Sequence, residues 1–473
     1  MEIFKKKFLI SWIFFLTIPF FTFSQKKENI PVVKLFEKEY YKYEVKKRAT
    51  VFSICKNFQV TEAELISMNP FIVDGLKAGQ TLLIPVKAKE DNDTDKKAKI
   101  DENKGATLFI GENSSVLIPH KIPRITLLLP FSPTETPGVN ERYVEFYEGF
   151  LLAVDSLKSL GLSFEVQAIN SGNDAESIDK IIKSGELNET DYCIGGASAE
   201  QISTLSTWAS ANQKNLILPF SSRIPEMENN PYLFQTNTTY SHMYKRLSEF
   251  AAIRFVGYKV IFLNSKESSE NEESALATYL KSQFEKKGIS YNEVSEDDEL
   301  KLLTGSLSKD RENLVIPSNM SLNDATRFIT RLSAIASKDT TRSITLFGYP
   351  EWQAMNKRYI QRLHQLNTFI FSNFFANFQD KNVRDFQLAF NKTFSKELLN
   401  TYPKYGIMGY DVASSFIPRM VYEKSSKPMI NGPEPIQNEF QFKALEPGSG
   451  AFNQVFYIIN YKPGNSVEIK QLK

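Results

Sequence analysis

The chain has 473 residues, and its 57 basic and 55 acidic residues leave a net charge of only +2. This length is too great for one compact domain and is enough for two or three, while the balanced charge argues against a nucleic-acid-binding surface. The two cysteines, Cys55 and Cys193, fall in different predicted domains, and the three histidines (His120, His242 and His364) share no metal-ligand spacing, so we expect neither a disulfide nor a metal site.

Residues 1–24 have the pattern of a secretory signal peptide. Lys5–Lys7 precede an apolar run, Phe8–Phe21, and Thr22-Phe23-Ser24 then offers small residues at the −3 and −1 positions of a cleavage site. The run is shorter than the roughly 20 residues of a spanning helix, so cleavage near Ser24 is expected, with an uncleaved anchor as the alternative. The first cysteine is Cys55, too late for a lipoprotein signal. The pattern therefore predicts a periplasmic protein with no stable membrane span after cleavage.

Residues 36–88 have a β-α-α-β pattern. Alternation predicts an edge strand, helical spacing predicts a first helix, a Thr-x-x-Glu capping box begins a second helix, and an Asn-Pro pair ends it. Tyr43 and Val45 mark the predicted edge strand, and Val51, Ile54, Cys55 and Phe58 mark the first helix. Thr61 and Glu64 begin the second helix, which runs to Met68, and Asn69 and Pro70 end it. Leu82, Ile84 and Pro85 form the closing strand.

The stretch 43–85 resembles a LysM module, a small domain that binds N-acetylglucosamine-containing glycans such as peptidoglycan. The resemblance implies a shallow groove between the loop after the first strand and the loop after the second helix. Its expected glycan contacts are Thr50, Val51, Asn69, Pro70 and Ile72. Arg48-Ala49-Thr50 stands where the family usually has Gly-Asp-Thr, so a spacer or packing domain is the alternative to peptidoglycan binding.

A charged linker, 89–122, is too poor in apolar residues to bury a core and is expected to be a flexible tether. Beyond it, residues 123–473 show two series of alternating strands and helices. The predicted strands are Ile125–Leu129, Phe164–Ile169, Tyr192–Ile194 and Leu216–Leu218, then Val260–Leu263, Tyr291–Val294, Leu314–Ile316 and Ile344–Phe347; the helices include Asn140–Leu160, Ala175–Lys183, Glu272–Lys286 and Leu322–Ala336. The first of these helices has an apolar face of Tyr143, Phe146, Phe150, Val154 and Leu157. This order predicts an α/β fold, a bilobal clamp of two doubly wound parallel sheets with a ligand crevice at the carboxyl ends of the strands.

The clamp region resembles a type I periplasmic binding protein, a family that includes branched-chain amino-acid receptors and penicillin-binding-protein activators. The motifs that carry the resemblance are Ile194-Gly195-Gly196-Ala197-Ser198, Leu218-Pro219-Phe220-Ser221-Ser222, Phe234-Gln235-Thr236-Asn237, Phe347-Gly348-Tyr349-Pro350-Glu351 and Gly409-Tyr410-Asp411-Val412-Ala413. It implies crossovers between the lobes near Gln235–Thr238, near Thr368–Asn373 and after Val421.

The same resemblance implies a site for an amino-acid-like ligand. Its carboxylate would meet Ala197 and Ser198, its amine would meet Ser221, Ser222 and Glu351, and Tyr240 would cover one side. Ser198 opens a predicted helix, whose free N–H groups favour an anion. The alternatives are that Ser198 only caps the helix, that Ser221 and Ser222 only satisfy loop backbone, and that Glu351 is a solvated acid.

Enzyme signatures are missing from the sequence. There is no Gly-x-Ser-x-Gly elbow, no phosphate-binding loop and no metal-ligand helix pair, and no cofactor is expected. Two hypotheses remain. The first is a non-enzymatic wall protein, held on peptidoglycan, whose clamp binds a partner such as a wall-synthesis protein; the second is a solute receptor for an amino acid or a muropeptide.

Overall fold

The computed structural model describes residues 30–35, 38–72, 75–86, 122–131, 139–264, 272–295, 300–317, 321–422 and 432–473. The predicted signal peptide and nearly all of the predicted linker lie outside these ranges. The described chain forms one small three-stranded sheet and two seven-stranded sheets with helices packed against them.

The strands are β1 Val32–Leu35, β2 Lys38–Glu44, β3 Thr81–Pro85, β4 Arg124–Leu129, β5 Glu165–Asn170, β6 Tyr192–Gly195, β7 Asn215–Leu218, β8 Leu233–Gln235, β9 Lys259–Asn264, β10 Tyr291–Ser295, β11 Asn313–Ile316, β12 Ile344–Gly348, β13 Thr368–Ser372, β14 Phe442–Ala444, β15 Ala451–Asn453, β16 Phe456–Tyr461 and β17 Val467–Leu472. The helices are α1 Val51–Phe58, α2 Glu62–Met68, α3 Val139–Ser159, α4 Ala175–Ser184, α5 Ala199–Asn212, α6 Tyr240–Arg254, α7 Glu272–Lys286, α8 Leu300–Ser306, α9 Leu322–Lys338, α10 Lys357–Gln365, α11 Lys381–Phe394 and α12 Tyr405–Tyr422; short 3-10 turns cover Pro70–Ile72, Pro225–Asn229 and Pro350–Ala354.

The N-terminal module is a sheet of β1, β2 and β3 against which α1 and α2 pack. Thr50 and Thr61 cap the two helices through reciprocal side-chain and backbone hydrogen bonds, as the sequence pattern predicts for Thr61. The edge-strand prediction for Tyr43 is wrong, because β2 is the central strand: β1, which the sequence analysis missed, pairs with it on the side away from β3.

The two large sheets form the two lobes of the clamp. Lobe 1 has the order β14-β15-β8-β7-β6-β4-β5 and lobe 2 has β10-β9-β11-β12-β13-β16-β17. Strands β4 to β8 and β9 to β13 run parallel within their sheets, while β14, β16 and β17 add antiparallel pairs at the edges. The strand order reverses between β4 and β6 in lobe 1 and between β9 and β11 in lobe 2, and ligands of such sheets bind outside these reversal points.

The chain crosses between the lobes three times, and one buried threonine ties the crossings together. The Thr238 hydroxyl donates to the Val455 carbonyl at 2.9 Å, and the Thr238 N–H donates to the Asn373 side chain at 3.3 Å. Each of these three residues lies on a different crossover. The lobes therefore meet at a hinge where a side chain of one crossover satisfies a backbone group of another.

The N-terminal module is docked on lobe 1. Leu35, Tyr40 and Leu83 belong to one apolar cluster with Leu152, Phe386 and Phe390 of α3 and α11. The ring of Phe71 lies 6.2 Å from that of Phe131, which follows β4. The Lys42 ammonium donates to the carbonyls of Asn391 and Lys392 at the carboxyl end of α11, where a cation also meets the negative end of the helix dipole. The N-terminal module and lobe 1 therefore share one apolar cluster.

Most predicted elements of the clamp are confirmed within two residues. Helix α7 has the predicted bounds, and the predicted apolar face of α3 is buried at Tyr143, Phe146, Phe150, Val154 and Leu157. The crossover predicted after Val421 occurs at Asn453–Phe456, because β14 and β15, which follow α12, still belong to lobe 1.

No helix among the described residues is both long enough and apolar enough to span a membrane.

Candidate functional site: a glycan loop and an interlobe cleft

The loop between β2 and α1 is the first half of the predicted glycan groove. It turns through a hydrogen bond from the Ala49 N–H to the Lys46 carbonyl, and Arg48 has φ of 68°. That left-handed conformation suits glycine, which explains the family's usual glycine at this position. The loop thus has the conformation expected for a glycine there, with an exposed arginine side chain instead. Thr50 is exposed beside it, and its hydroxyl accepts the Ser53 N–H as the cap of α1.

We expect Arg48→Gly to leave the free energy of unfolding unchanged or to raise it, whereas Lys47→Gly, one residue earlier in the same turn, should lower it. A left-handed non-glycine residue costs about 1–2 kcal/mol, which Arg48→Gly relieves and Lys47→Gly does not. Both variants gain similar conformational entropy in the unfolded state, so the difference between them isolates the strain. Urea unfolding followed by circular dichroism measures it, and a larger loss for Arg48→Gly than for Lys47→Gly would contradict the strain.

The loop after α2 is the second half of the predicted groove, and its side chains are used by the fold. Asn69 is 1 % exposed; its amide donates to the Leu65 and Leu83 carbonyls and accepts the Leu83 N–H, joining the end of α2 to β3. Ile72 is also 1 % exposed, in the apolar core, and Pro70 begins the 3-10 turn. Neither the Asn69 amide nor the Ile72 side chain reaches the surface, so these two side chains are not placed to contact a glycan.

Phe52 is a residue of this region that the sequence analysis did not select. It is 77 % exposed in the first turn of α1, directly after Thr50 and the half-buried Val51. Phe52 lies off the inward face of α1, which is formed by the buried Ile54 and the half-buried Phe58. An apolar residue off that face was the sequence signal that could have identified it. An exposed ring beside the glycan loop offers an apolar face to a sugar.

The predicted ligand residues of lobe 1 lie at the carboxyl ends of β6 and β7. Ala197 and Ser198 follow β6, and the Ser198 hydroxyl accepts the Gln201 N–H at 3.3 Å as the cap of α5. Ser221 donates to the Arg223 carbonyl and accepts the Arg223 N–H, and the Ser222 carbonyl accepts from Gln235. All four are half-buried. Their hydrogen bonds within the loops are those expected if these residues only cap a helix or satisfy loop backbone. Their position at the crevice is the one expected if they bind a ligand.

Tyr240 and Glu351, the other predicted ligand residues, lie near a half-buried tyrosine that was not predicted from the sequence. Tyr402 comes from the loop before α12 in lobe 1, and its hydroxyl hydrogen-bonds to that of Ser372, at the end of β13 in lobe 2. Burial raises the pKa of Tyr402 well above its usual value, and the nearby Glu351 carboxylate and Tyr240 hydroxyl raise it further. Tyr402 therefore joins the lobes beside two of the predicted ligand residues.

A second missed group lines lobe 1 at the start of α3. The rings of Tyr143, Phe220 and Tyr405 lie 5.0–6.1 Å apart, centroid to centroid. The Arg142 guanidinium lies 4.8 Å from the Tyr143 ring and 5.4 Å from the Tyr405 ring. Burial alone would lower the pKa of Arg142, but the two tyrosines outweigh it and the pKa is raised, so the group stays cationic. Phe220 precedes Ser221, which places this group at the same crevice.

No group of three or more histidine, cysteine, aspartate or glutamate side chains among the described residues could hold a metal ion. The thiols of Cys55 and Cys193 are free.

The comparisons with known proteins agree with this architecture. Residues 43–85 match the model of the LysM domain. A branched-chain amino acid ABC transporter protein from Rhodospirillum rubrum matches the structure with a TM-score of 0.53 and 12 % identity, covering 74 % of this chain and all of that one. A branched-chain amino acid ABC transporter periplasmic ligand-binding protein from Burkholderia xenovorans matches with a TM-score of 0.47 and 11 % identity, over 74 % and 95 % of the two chains. Full-length LpoA from Haemophilus influenzae matches with a TM-score of 0.47 and 11 % identity, over 74 % of this chain and 59 % of that one.

No protein of curated function is similar enough in sequence to be matched to the chain. The chain thus combines two units: a LysM domain at residues 43–85 and a clamp with the fold of the type I periplasmic binding proteins. At this identity the structural likeness establishes the fold of the clamp and not its ligand.

Proposed function

We propose that this protein is an exported, non-enzymatic component of the cell wall compartment. Its LysM domain contacts peptidoglycan, and its clamp binds an amino-acid-like ligand or a wall-synthesis protein and thereby regulates wall synthesis. The match of residues 43–85 to the LysM domain carries the proposal. The signal-peptide pattern of residues 1–24 supports export to the periplasm.

The packing of the LysM domain on lobe 1 supports separate roles for the LysM domain and the clamp. The loop with Thr50 and Phe52 stays exposed, while Phe71, beyond α2, packs toward Phe131 of lobe 1. A glycan held at the exposed loop would fix lobe 1 to the wall. Lobe 2, which the described contacts of the module do not reach, would then be free to move about the Thr238 hinge.

We expect Phe52→Ala to reduce co-sedimentation of the full-length protein with purified peptidoglycan sacculi by about tenfold. Burying one ring against a sugar contributes about 1–2 kcal/mol at the usual value per unit of apolar area, and an affinity on the order of micromolar or poorer leaves little reserve. Because the side chain is 77 % exposed, its loss should leave the thermal unfolding temperature unchanged.

Leu388→Ala is the matched control, since Leu388 is 70 % exposed on α11 and lies outside the LysM domain. Equal sedimentation of the parent, Phe52→Ala and Leu388→Ala proteins would reject the glycan loop. Deleting the module is a poorer test, because it would uncover the apolar surface of Leu152, Phe386 and Phe390 and cause nonspecific adhesion.

The solute-receptor hypothesis differs from the regulator hypothesis in the molecule that the clamp binds: a small solute in the first case and a wall-synthesis protein in the second. Mass spectrometry of small molecules released from the purified protein, together with crosslinking in intact cells, separates the two. A released amino acid or muropeptide with no crosslinked wall-synthesis protein favours the receptor; the reverse favours the regulator.

A further inference from the structure

Arg142, like Arg362 on α10, is an arginine with a buried side-chain donor that lacks a hydrogen-bond partner among the described residues. It lies half-buried in the first turn of α3, and its Nη2 donates to the Tyr143 hydroxyl at 3.0 Å. Its Nε is buried with no hydrogen-bond partner, and none of the described carboxylates forms an ion pair with it. By contrast, Arg124 pairs with Glu165 and Glu189. A buried donor on a permanent cation normally has a partner, so this position calls for an external anion.

The surroundings of Arg142 define the kind of anion. Tyr143 and Tyr405 hold the guanidinium by cation–π contact, and no carboxylate of the described residues forms an ion pair with it. The rings of Phe220 and Tyr405 stack at 6.1 Å and extend an apolar wall away from the cation. The planar guanidinium matches a carboxylate in two-point hydrogen bonding. The cation and the wall together fit a monocarboxylate with an apolar body.

The position in the fold agrees with a ligand site. Arg142 lies at the start of α3, the helix that follows β4, and β4 borders the point where the strand order of lobe 1 reverses. Tyr405 lies three residues after Tyr402, whose hydroxyl meets Ser372 of lobe 2. The short segment between these tyrosines connects the Arg142 group to the region of Tyr240 and Glu351.

We propose that Arg142, with Tyr143, Phe220 and Tyr405, is the carboxylate-binding site of the cleft, and that the clamp takes a small monocarboxylate whose apolar part lies on the Phe220–Tyr405 wall. This inference rests on the proposed binding of a small ligand by the clamp. It assigns the ligand carboxylate to Arg142 in place of Ala197 and Ser198.

The test compares two pairs of probes by titration calorimetry on the full-length protein: L-leucine with L-leucinamide, and 3-phenylpropionate with 3-phenylpropionamide. Each amide keeps the shape of its acid and removes the negative charge. We expect the parent to bind at least one acid ten times or more tightly than its amide. Arg142→Gln should abolish that preference and leave amide binding unchanged, while Arg142→Lys should retain part of it. Arg358→Gln, a change of an exposed arginine on α10, should have no effect.

The outcomes separate this inference from the proposed function. If an acid and its amide bind equally to the parent, or if Arg142→Gln keeps the preference, the clamp remains a ligand-binding clamp and only the carboxylate site is overturned. If none of the four probes binds the parent, the carboxylate site is overturned as well. Co-sedimentation with sacculi remains an independent test of the proposed wall function. Should Arg142→Gln fail to fold, Tyr405→Phe and Arg142→Lys provide the comparison: an acid preference that neither weakens would overturn the site.

Discussion

Asp411→Ala is expected to destabilise the protein by about 3–5 kcal/mol, because it leaves three buried backbone donors without their acceptor. Asp411 has no exposed surface, and its carboxylate accepts the N–H groups of Ile436, Gln437 and Asn438 at 2.7–2.8 Å. Alanine would leave three buried donors without a partner, each costing about 1–3 kcal/mol unless the loop rearranges. Urea unfolding of the parent and the variant measures the loss.

The control is Asp179→Ala, which removes an exposed aspartate from the interior of α4. It should leave the stability unchanged or raise it slightly, because alanine is the better helix former. A loss below about 1 kcal/mol for Asp411→Ala would show that the loop satisfies its donors elsewhere, and it would remove Asp411 as the anchor.

The pH dependence of stability should identify the same carboxyl group. Burial raises the pKa of Asp411 to about 7 from its ordinary 3.8, although the three N–H donors oppose the rise. The folded state therefore holds a proton that the unfolded state releases, so this contribution to stability is complete below pH 3.8 and is lost as the pH rises toward 7. In Asp411→Asn, the fall in stability over this range should be shallower than in the parent. An identical slope would assign the titration to other groups.

Asp411 matters for function because the loop it holds supports the hinge. The Gln437 carbonyl accepts the Phe375 N–H, and the Gln437 side chain accepts the Lys404 N–H. Phe375 follows the second crossover, and Lys404 lies between Tyr402 and Tyr405 of the cleft. Loss of the anchor should therefore loosen both the hinge and the wall of the cleft.

The sequence predicted those parts of the fold in which local pattern and burial coincide. Thr61 and Glu64 identified the start of α2, and the apolar spacing of Tyr143 to Leu157 identified the buried face of α3, because capping and periodicity are local signals. β1 was missed since Val32–Leu35 are only four residues, and their pairing with β2 depends on a tertiary contact with lobe 1.

The candidate site was less accessible to sequence reasoning. The motif positions Ser198, Ser221 and Glu351 were placed at the ends of strands, as the fold requires, but their roles depend on partners distant in the chain. Arg142 and Tyr405 are separated by more than half of the sequence, and only the packing of α3 against α12 brings them together. Asn69 shows a different limit of motif reasoning: the motif marks the position, and only the structure shows that its side chain is a buried hydrogen-bonding bridge between the end of α2 and β3.

The crossing of α3 and α12 leads to the second large effect. These helices meet through glycines: a Cβ on Gly409 would lie 1.9 Å from the Phe146 carbonyl oxygen, and a Cβ on Gly149 would lie 1.7 Å from the Gly406 carbonyl oxygen. Both obstacles are backbone atoms, which cannot move aside as a flexible side chain does. Backbone contact of this kind is open only to residues without a Cβ.

Gly409→Ala is therefore expected to cost about 3 kcal/mol, at the upper end of the usual range for overpacking, because α12 must move away from α3. The matched control is Gly305→Ala on α8, where a Cβ would meet nothing within 4 Å. That substitution should raise the stability by up to about 1 kcal/mol, since alanine favours the helix. The same change of residue thus has opposite expected signs at the two helical positions.

Because α12 carries Tyr405 at its first residue, Gly409→Ala should also weaken the binding of any ligand in the cleft, whereas Gly305→Ala should not. Equal unfolding free energies for the two variants would show that α3 and α12 separate without cost, and would contradict the close crossing on which the geometry of the Arg142 group depends.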